Sequence, residues 1–431
     1  MAYRTAGSQL ASDGDRSSAS DCYDVLVLDA ASKQSLASVR SLGRAGLRVA
    51  VGETFAECDP SLPILAFRSR YSARNVVLPN HATEPAAFAA KLTDFVRGHP
   101  TRVLLPTMDG TIAALVPCRE ALAAAGCTLA LPSDSVLEIA NSKDRTLEIA
   151  RHLGIAFPKT IAIESLDGID SALAELEFPI VIKPSTSWSQ ETARRLQPIE
   201  VINRVEAVQA VQEILNAGVG VLAQQWASGR REGVTMFVVG DDVLAHCAHV
   251  AFRTTPALGG VSILRESLPV QDDIYVPAVN LARAMGLQGV CEVEFRRDAE
   301  GRPLLMEVNA RLAGTIENAM RSGVDFPLMI WQWASGGAVD KSNGYVAGVR
   351  TRCLRSDMRW LRGNYGRVGR PDSVSRTQAF WSFGAEFFRT RYYDCFDRHD
   401  VGPGFAEIRL MMASIYNPRS PDRNAATVLV K

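Results

Sequence analysis

Glu307-Val308-Asn309-Ala310-Arg311 places a carboxylate, a carboxamide and a guanidinium two residues apart. On a β-strand that spacing puts all three on one face. Upstream, Cys291-Glu292-Val293-Glu294-Phe295 alternates acids with apolar residues, and Asp298-Ala299-Glu300-Gly301 reads as a turn joining the two runs into a hairpin. If the hairpin brings Glu294 opposite Glu307 and Asn309, the result is an all-oxygen cluster beside Arg311. Hard oxygen ligands suit Mg²⁺, which keeps several waters and bridges substrate phosphates. A guanidinium nearby suits charge developing on a transferred phosphoryl group. The plainer reading of the same residues is a surface ribbon with a wet, charged face.

Other blocks must position such a cluster. Residues 24–29 form an apolar strand run, 35–45 a helical stretch closed by Gly46, and 47–51 a second strand. That order reads as a βαβ unit in a parallel sheet. Residues 102–105 and 128–131 continue the sheet, with Asp109-Gly110-Thr111 opening a helix between them. Ala30-Ala31-Ser32-Lys33 stands where a dinucleotide loop would carry G-x-G-x-x-G, which disfavours a nicotinamide cofactor. Ser32 and Asp109 are candidates for touching a substrate, or plain helix caps. Ser142-Lys143-Asp144-Arg145 starts another helix, where the macrodipole disfavours a cation and makes a ligand role for Lys143 attractive.

From about residue 24 to residue 332 the chain resembles the ATP-grasp superfamily. The resemblance rests on the strand around Glu294, on Glu307-x-Asn309-x-Arg311, and on Ala313-Gly314-Thr315 with Ser322-Gly323-Val324-Asp325-Phe326-Pro327 behind them. It implies an α/β (α+β) ATP-grasp fold. The division it implies is a tail at 1–21, a Rossmann-like domain at 22–138, a core at 139–339 with its lid lobe at about 159–226, and a helical C-terminal segment at 340–431.

Residue roles follow from the same resemblance. Glu294, Glu307 and Asn309 would hold one or two Mg²⁺, or Mn²⁺, and Arg311 would stabilise charge on the phosphoryl oxygens. Lys143 and Lys183 would meet the phosphates of ATP. Ser185 leads a loop that is Gly-rich in the family but reads Ser185-Thr186-Ser187-Trp188-Ser189-Gln190-Glu191 here, so hydroxyls replace wrapping amides and Trp188 could cover a substrate. Gln224, Gln225 and Trp226 resemble the adenine strand and hinge, with Gln225 where the family commonly has Glu. Glu232 stands where an acid meets the ribose hydroxyls, or is an ordinary loop charge. Met306 packs under adenine, in the core, or both. Arg265, after Leu258-Gly259-Gly260, would support a substrate carboxylate or phosphate, since Arg suits bidentate recognition; a surface salt bridge to Glu266 or Asp272 is the alternative.

With 47 basic and 47 acidic residues among 431, charge gives no case for nucleic acid. No apolar run reaches the roughly 20 residues of a spanning helix, and residues 1–21 read as a disordered tail without a signal peptide's apolar stretch. Eight scattered cysteines without C-x-x-C suit packed thiols in a reducing cytoplasm. His246-Cys247-Ala248-His249 is not read as a zinc site, because residues three apart on a strand face opposite sides. Arg and aromatic residues interleave beyond residue 340, mixed with acids, and Arg352 there is a further candidate for a substrate arginine.

The expectation is an ATP-dependent ligase that joins a small-molecule carboxylate to an amine through an acyl phosphate, releasing ADP and phosphate. Phosphorylation of an enol or hydroxyl, carboxylation, a non-catalytic nucleotide-binding regulator and an RNA-binding protein stand as alternatives. Dimers are common among similar enzymes, and no membrane or nucleic-acid partner is expected.

Overall fold

Strands that are apolar along their whole length need cover on both faces, and the first block supplies it. β1 (Tyr23–Val27), β2 (Val49–Thr54), β3 (Ser72–Leu78), β4 (Thr101–Leu105) and β5 (Thr128–Leu129) form a parallel sheet of order β3-β2-β1-β4-β5. α1 (Lys33–Arg44), α2 (Pro85–Gly98), α3 (Asp109–Leu115) and α4 (Arg119–Ala124) accompany it, and α5 (Asp134–Asn141) and α6 (Lys143–His152) lead out. The computed structural model describes residues 22–54, 62–189, 191–192, 194–256, 260–342, 344–364 and 370–416. The stretch 1–21, Gln190, Leu258 and Gly259 lie outside the described residues.

Strand order reverses between β1 and β4, so the carboxyl ends of those two strands open a crevice. Asp29 stitches its two sides. It sits at φ 62° after β1, and its carboxylate accepts from the Thr107 and Met108 amides at 2.7 and 2.9 Å. Ser32 caps α1 by accepting from the Ser35 amide at 3.0 Å.

The second block is an antiparallel sheet of order β10-β7-β11-β6. Its strands are β6 (Thr160–Ile163), β7 (Ile180–Pro184), β10 (Ile199–Val201) and β11 (Val221–Gln225), with α7 (Ile169–Ala174) and α8 (Arg204–Leu215) beside them. It has its own small core of Ile180, Ile182, Val211 and Val221. A two-residue ribbon, β8 (Trp188–Ser189) against β9 (Arg194–Arg195), projects from it.

A seven-stranded sheet of order β16-β15-β12-β13-β14-β17-β18 forms the third block. It comprises β12 (Arg231–Val239), β13 (Asp242–Thr255), β14 (Val261–Leu268), β15 (Gly289–Arg297), β16 (Pro303–Asn309), β17 (Arg350–Arg352) and β18 (Tyr392–Tyr393). α9 (Asp272–Ala284) packs with Val234, Met236, Val293 and Phe295 on one face. α10 (Ile316–Arg321) and α11 (Phe326–Ala334) share a core with Phe237, Cys247 and the first sheet. Gly301 closes the β15–β16 turn at φ 82°.

Beyond residue 340 lie α12 (Leu354–Asn364), α13 (Arg376–Arg389) and α14 (Gly402–Tyr416). This segment is more than a helical appendage, because β17 and β18 extend the core sheet. It is also tied to the first block. Arg40 on α1 is fully buried and donates to the Asp400 carboxylate at 2.9 Å and to the Asp394 and Cys395 carbonyls at 2.8 and 2.9 Å. Arg352 is no substrate arginine: it is fully buried, donates to Asp357 at 2.7 Å and stacks on Phe383 and Phe387. Among the described residues, no helix is long and apolar enough to cross a membrane.

Candidate active site

The β15–β16 register sets Glu294 directly opposite Glu307 and Glu292 opposite Asn309. Like charges opposite one another on a sheet are destabilising, so the pairing needs compensation. The Asn309 amide donates to Glu294 at 3.3 Å and to Glu307 at 3.5 Å, and Arg231 lies 3.6 Å from Glu294. Burial, then the facing Glu307 carboxylate, push the Glu294 carboxyl well above its ordinary range. Burial pulls Glu307 the same way, but Lys143 and Lys183, with Arg195 and Arg231, hold it below its ordinary value.

Two lysines from different blocks thus converge on one carboxylate. Lys143 opens α6; its backbone amide donates to the Ser185 carbonyl at 2.9 Å and its ammonium to the Ser187 hydroxyl at 3.1 Å. Lys183 is next to last in β7 and is 9 % exposed; burial brings it down to about 8. Arg311, just past β16, makes a two-pronged ion pair with Asp109, the first residue of α3. Burial opposes charge on Asp109, but Arg311 and Arg195 hold its carboxyl well down. Asp109 is therefore an anchor for Arg311 rather than a helix cap.

Three cavities meet here. A pocket of about 510 Å³, counted to its mouth, runs beside Lys183, Gln224, Trp226, Arg231 and Met306 to Glu294 and Glu307. A second opens along α6 and the loop 186–188 to Asn309 and Arg311. A third chamber, about 1310 Å³ counted to its mouth, extends from the two carboxylates and Arg311 past His249 and Ser262 to Lys33 and the C-terminal segment.

Not every expected residue points inward. Ser185 uses its amide on the Gly220 carbonyl and its carbonyl on Lys143, so Ser187 is the hydroxyl that meets a lysine. Gln224 lines the 510 Å³ pocket but ties its amide to the Thr160 hydroxyl at 2.8 Å. Gln225 turns its side chain to the main chain of Glu177, at 3.0 and 2.7 Å. Trp226 carries the Arg296 guanidinium 4.5 Å over its ring. Met306 is the extra residue where the hairpin register shifts, and it lines the same pocket.

Glu232 does not line the 510 Å³ pocket. Pairing puts it opposite Phe295, on the apolar face, while Arg231 and Gly233 take the cluster's face. Arg230 and Arg297 hold its two carboxylate oxygens. Arg265 is likewise no substrate ligand. It is fully buried, donates to Asp394 at 2.6 Å, and forms structure behind the chamber.

Sequence reading missed Arg195, Arg231, Glu292 and His249. Glu292 had a signal, since it lies two residues from Glu294 on the same strand. For Arg195, the Arg194-Arg195 pair after the hydroxyl-rich loop was the cue.

The donor set fits Mg²⁺ and a polyphosphate. Two facing carboxylates and a carboxamide supply hard oxygens. Nε of Arg195 and Nη1 of Arg231 are buried without a hydrogen-bond acceptor, and the former lies 3.8 Å from the Asp109 carboxylate. Among the described residues no group of three or more His, Cys, Asp or Glu forms a metal cage. Mg²⁺ needs only one or two carboxylates when substrate phosphates complete its shell.

Comparison with known proteins agrees with this geometry. A family model described as "ATP-grasp in the biosynthetic pathway with Ter operon" matches residues 251–355. The D-alanine–D-alanine ligase of Ectopseudomonas mendocina is 23 % identical over 242 residues, 52 % of this chain and 71 % of that one. A probable alpha-L-glutamate ligase of Thioalkalivibrio sulfidiphilus is 30 % identical over 206 residues, 45 % of this chain and 64 % of its own length. Among solved structures, the L-amino acid ligase from Bacillus licheniformis superposes with a TM-score of 0.56 at 19 % identity, over 72 % of this chain and 74 % of that one. Biotin carboxylase from Campylobacter jejuni gives 0.60 at 14 %, over 77 % and 75 %; both likenesses speak to the fold alone. With its facing carboxylates, converging lysines and anchored arginine, the chain has the ATP-grasp fold and is similar to carboxylate–amine ligase-like enzymes of that fold, which use ATP and Mg²⁺.

Proposed function

We propose that the chain activates a small-molecule carboxylate as an acyl phosphate at the expense of ATP and passes it to an amine, forming an amide or peptide bond. The observation carrying this reading is the meeting of Glu294, Glu307 and Asn309 with Lys143, Lys183 and Arg311 at the mouth of a separate chamber. Nucleotide would enter by the 510 Å³ pocket, its adenine near Trp226 and Met306 and its phosphates at the two lysines. Bound at Glu294, Glu307 and Asn309, Mg²⁺ would neutralise phosphate oxygens. Lys143 and Lys183 would hold the phosphate tail in line with the acceptor, since positioning and charge compensation dominate phosphoryl transfer. A substrate carboxylate oxygen takes the γ-phosphoryl, and the bond to the bridging oxygen breaks to release ADP. Amine attack then forms the C–N bond and expels phosphate. Arg311, held by Asp109, would stabilise the oxyanion of that step. Small-molecule substrates, a cytoplasmic setting and a homodimer complete the proposal.

The test offers hydroxylamine with ATP and Mg²⁺ to a panel of carboxylates: D-alanine, L-glutamate and the other L-amino acids. ATP-dependent hydroxamate is expected from at least one, reduced about 10²–10³-fold by Glu307→Gln. No hydroxamate across the panel, or an unaffected variant, would contradict the reading.

A further inference from the structure

One row of paired residues crosses the core sheet: Glu307 on β16, Glu294 on β15, Gly233 on β12, His249 on β13 and Ser267 on β14. Gly233 is the gap in that row. A Cβ there would lie 2.5 Å from His249 Cε1 and 3.0 Å from Nε2, so the tip of the imidazole lies over the glycine, between its own strand and the carboxylates. The ring is 5 % exposed and lines the chamber that also receives Glu294, Glu307 and Arg311. Nothing in the phosphoryl transfer uses it.

Its surroundings orient it. His249 Nε2 is 3.8 Å from Glu292 Oε1. That carboxylate is itself held by the Thr315 hydroxyl at 2.5 Å and the Thr235 hydroxyl at 3.4 Å. The charged groups around the ring are Glu292 on β15, Arg231 and Glu232 on β12 and Arg265 on β14. Burial depresses its proton affinity, which leaves a neutral imidazole to accept a proton near pH 7.

We propose that His249 is the catalytic base of the second half-reaction, taking the proton shed by the attacking amine, with Glu292 as its positioning carboxylate. This inference rests on the ligase reading above. The amine nitrogen bonds to the acyl carbon and the carbon–oxygen bond to the phosphoryl group breaks. Phosphate leaves with that electron pair, and the nitrogen's proton passes to the imidazole and on to solvent. The ring fills the space over Gly233, and a side chain there would displace it.

The experiment compares two nucleophiles on one acyl donor. Hydroxylamine is weakly basic and already neutral at pH 7, so it needs little help from a base. An amino acid offered as the amine does need it. His249→Gln should keep ATP-dependent hydroxamate formation within about threefold of wild type while lowering amide formation about 10²–10⁴-fold, the range of general-base catalysis. Gly233→Ala, which leaves the histidine in the chain but pushes it aside, should give the same split. Hydroxamate and amide falling together, or both persisting, in both variants overturns the assignment. So does a wild type that forms hydroxamate but joins no amino acid, because nothing is then deprotonated. No hydroxamate from wild type overturns the ligase reading instead, and the base with it.

Discussion

Glu294 and Glu307 hold two carboxylates face to face, an arrangement that is destabilising when both are charged. Glu294 keeps its proton far above the usual carboxylate range. A carboxyl whose folded pKa lies above its unfolded value binds more protons folded than unfolded between the two. Stability therefore falls as pH rises through that window, from about 4.5 upward. Glu294→Gln removes the titrating proton without changing the shape. It should stabilise the ligand-free protein at neutral pH by roughly 0.5–2 kcal/mol and flatten that slope, while reducing turnover. Chemical denaturation of both proteins at several pH values checks this; equal pH slopes would contradict it. These residues were legible because strand periodicity is strict. The same strictness explains the failures. One residue of offset flips a side chain to the other face, which sent Glu232 to Arg297 and Phe295 and left Arg231 facing the cluster. Arg265 could not be told from a substrate arginine because its partner Asp394 lies 129 positions away, nor Arg352 because its place over Phe383 and Phe387 comes only with the folded C-terminal segment.

At the scale of elements, short strands and helix starts were readable from apolar runs and turn residues, whereas joins between blocks were not. β17 is three residues long and carries two arginines, so nothing in its pattern announces a core strand. Its place follows from pairing with β14. The join between α1 and the C-terminal segment is equally hidden. Arg40 and Asp400 are 360 positions apart, yet they form a buried pair in which Asp400 also accepts from the Ser69 hydroxyl and the Arg70 amide, both at 2.8 Å. Removing one partner leaves a buried charge unanswered. Asp400→Ala should cost about 3–5 kcal/mol, read as a fall in melting temperature. A loss below about 1 kcal/mol would show that water reaches Arg40.

Across the whole molecule, the lid ribbon rests on the front block. Trp188 lies so close to α3 that a Cβ on Gly110 would meet its ring at 2.6 Å, and His81 lies 5.7 Å from it ring to ring. Arg195 reaches Asp109 at 3.8 Å from the same ribbon. The glycine-free loop thus has a seat, which no local pattern could reveal, since Gly110 and Trp188 belong to different blocks. Gly110→Ala should hinder that seating. It is expected to lower kcat/KM for the carboxylate about tenfold or more while changing nucleotide affinity less than threefold; loss confined to nucleotide affinity would mean the ribbon serves ATP instead.

The central claim is that the β15–β16 hairpin and the two lysines make a magnesium–nucleotide site. Thermal unfolding with and without a non-hydrolysable ATP analogue and Mg²⁺, in wild type and Glu307→Ala, tests it without knowledge of the other substrates. At 100 times its dissociation constant the analogue should add about 2.7 kcal/mol to wild type, with Mg²⁺ required and most of the gain absent from the variant. A folded wild type that the analogue fails to stabilise, or a variant stabilised equally, would contradict the account.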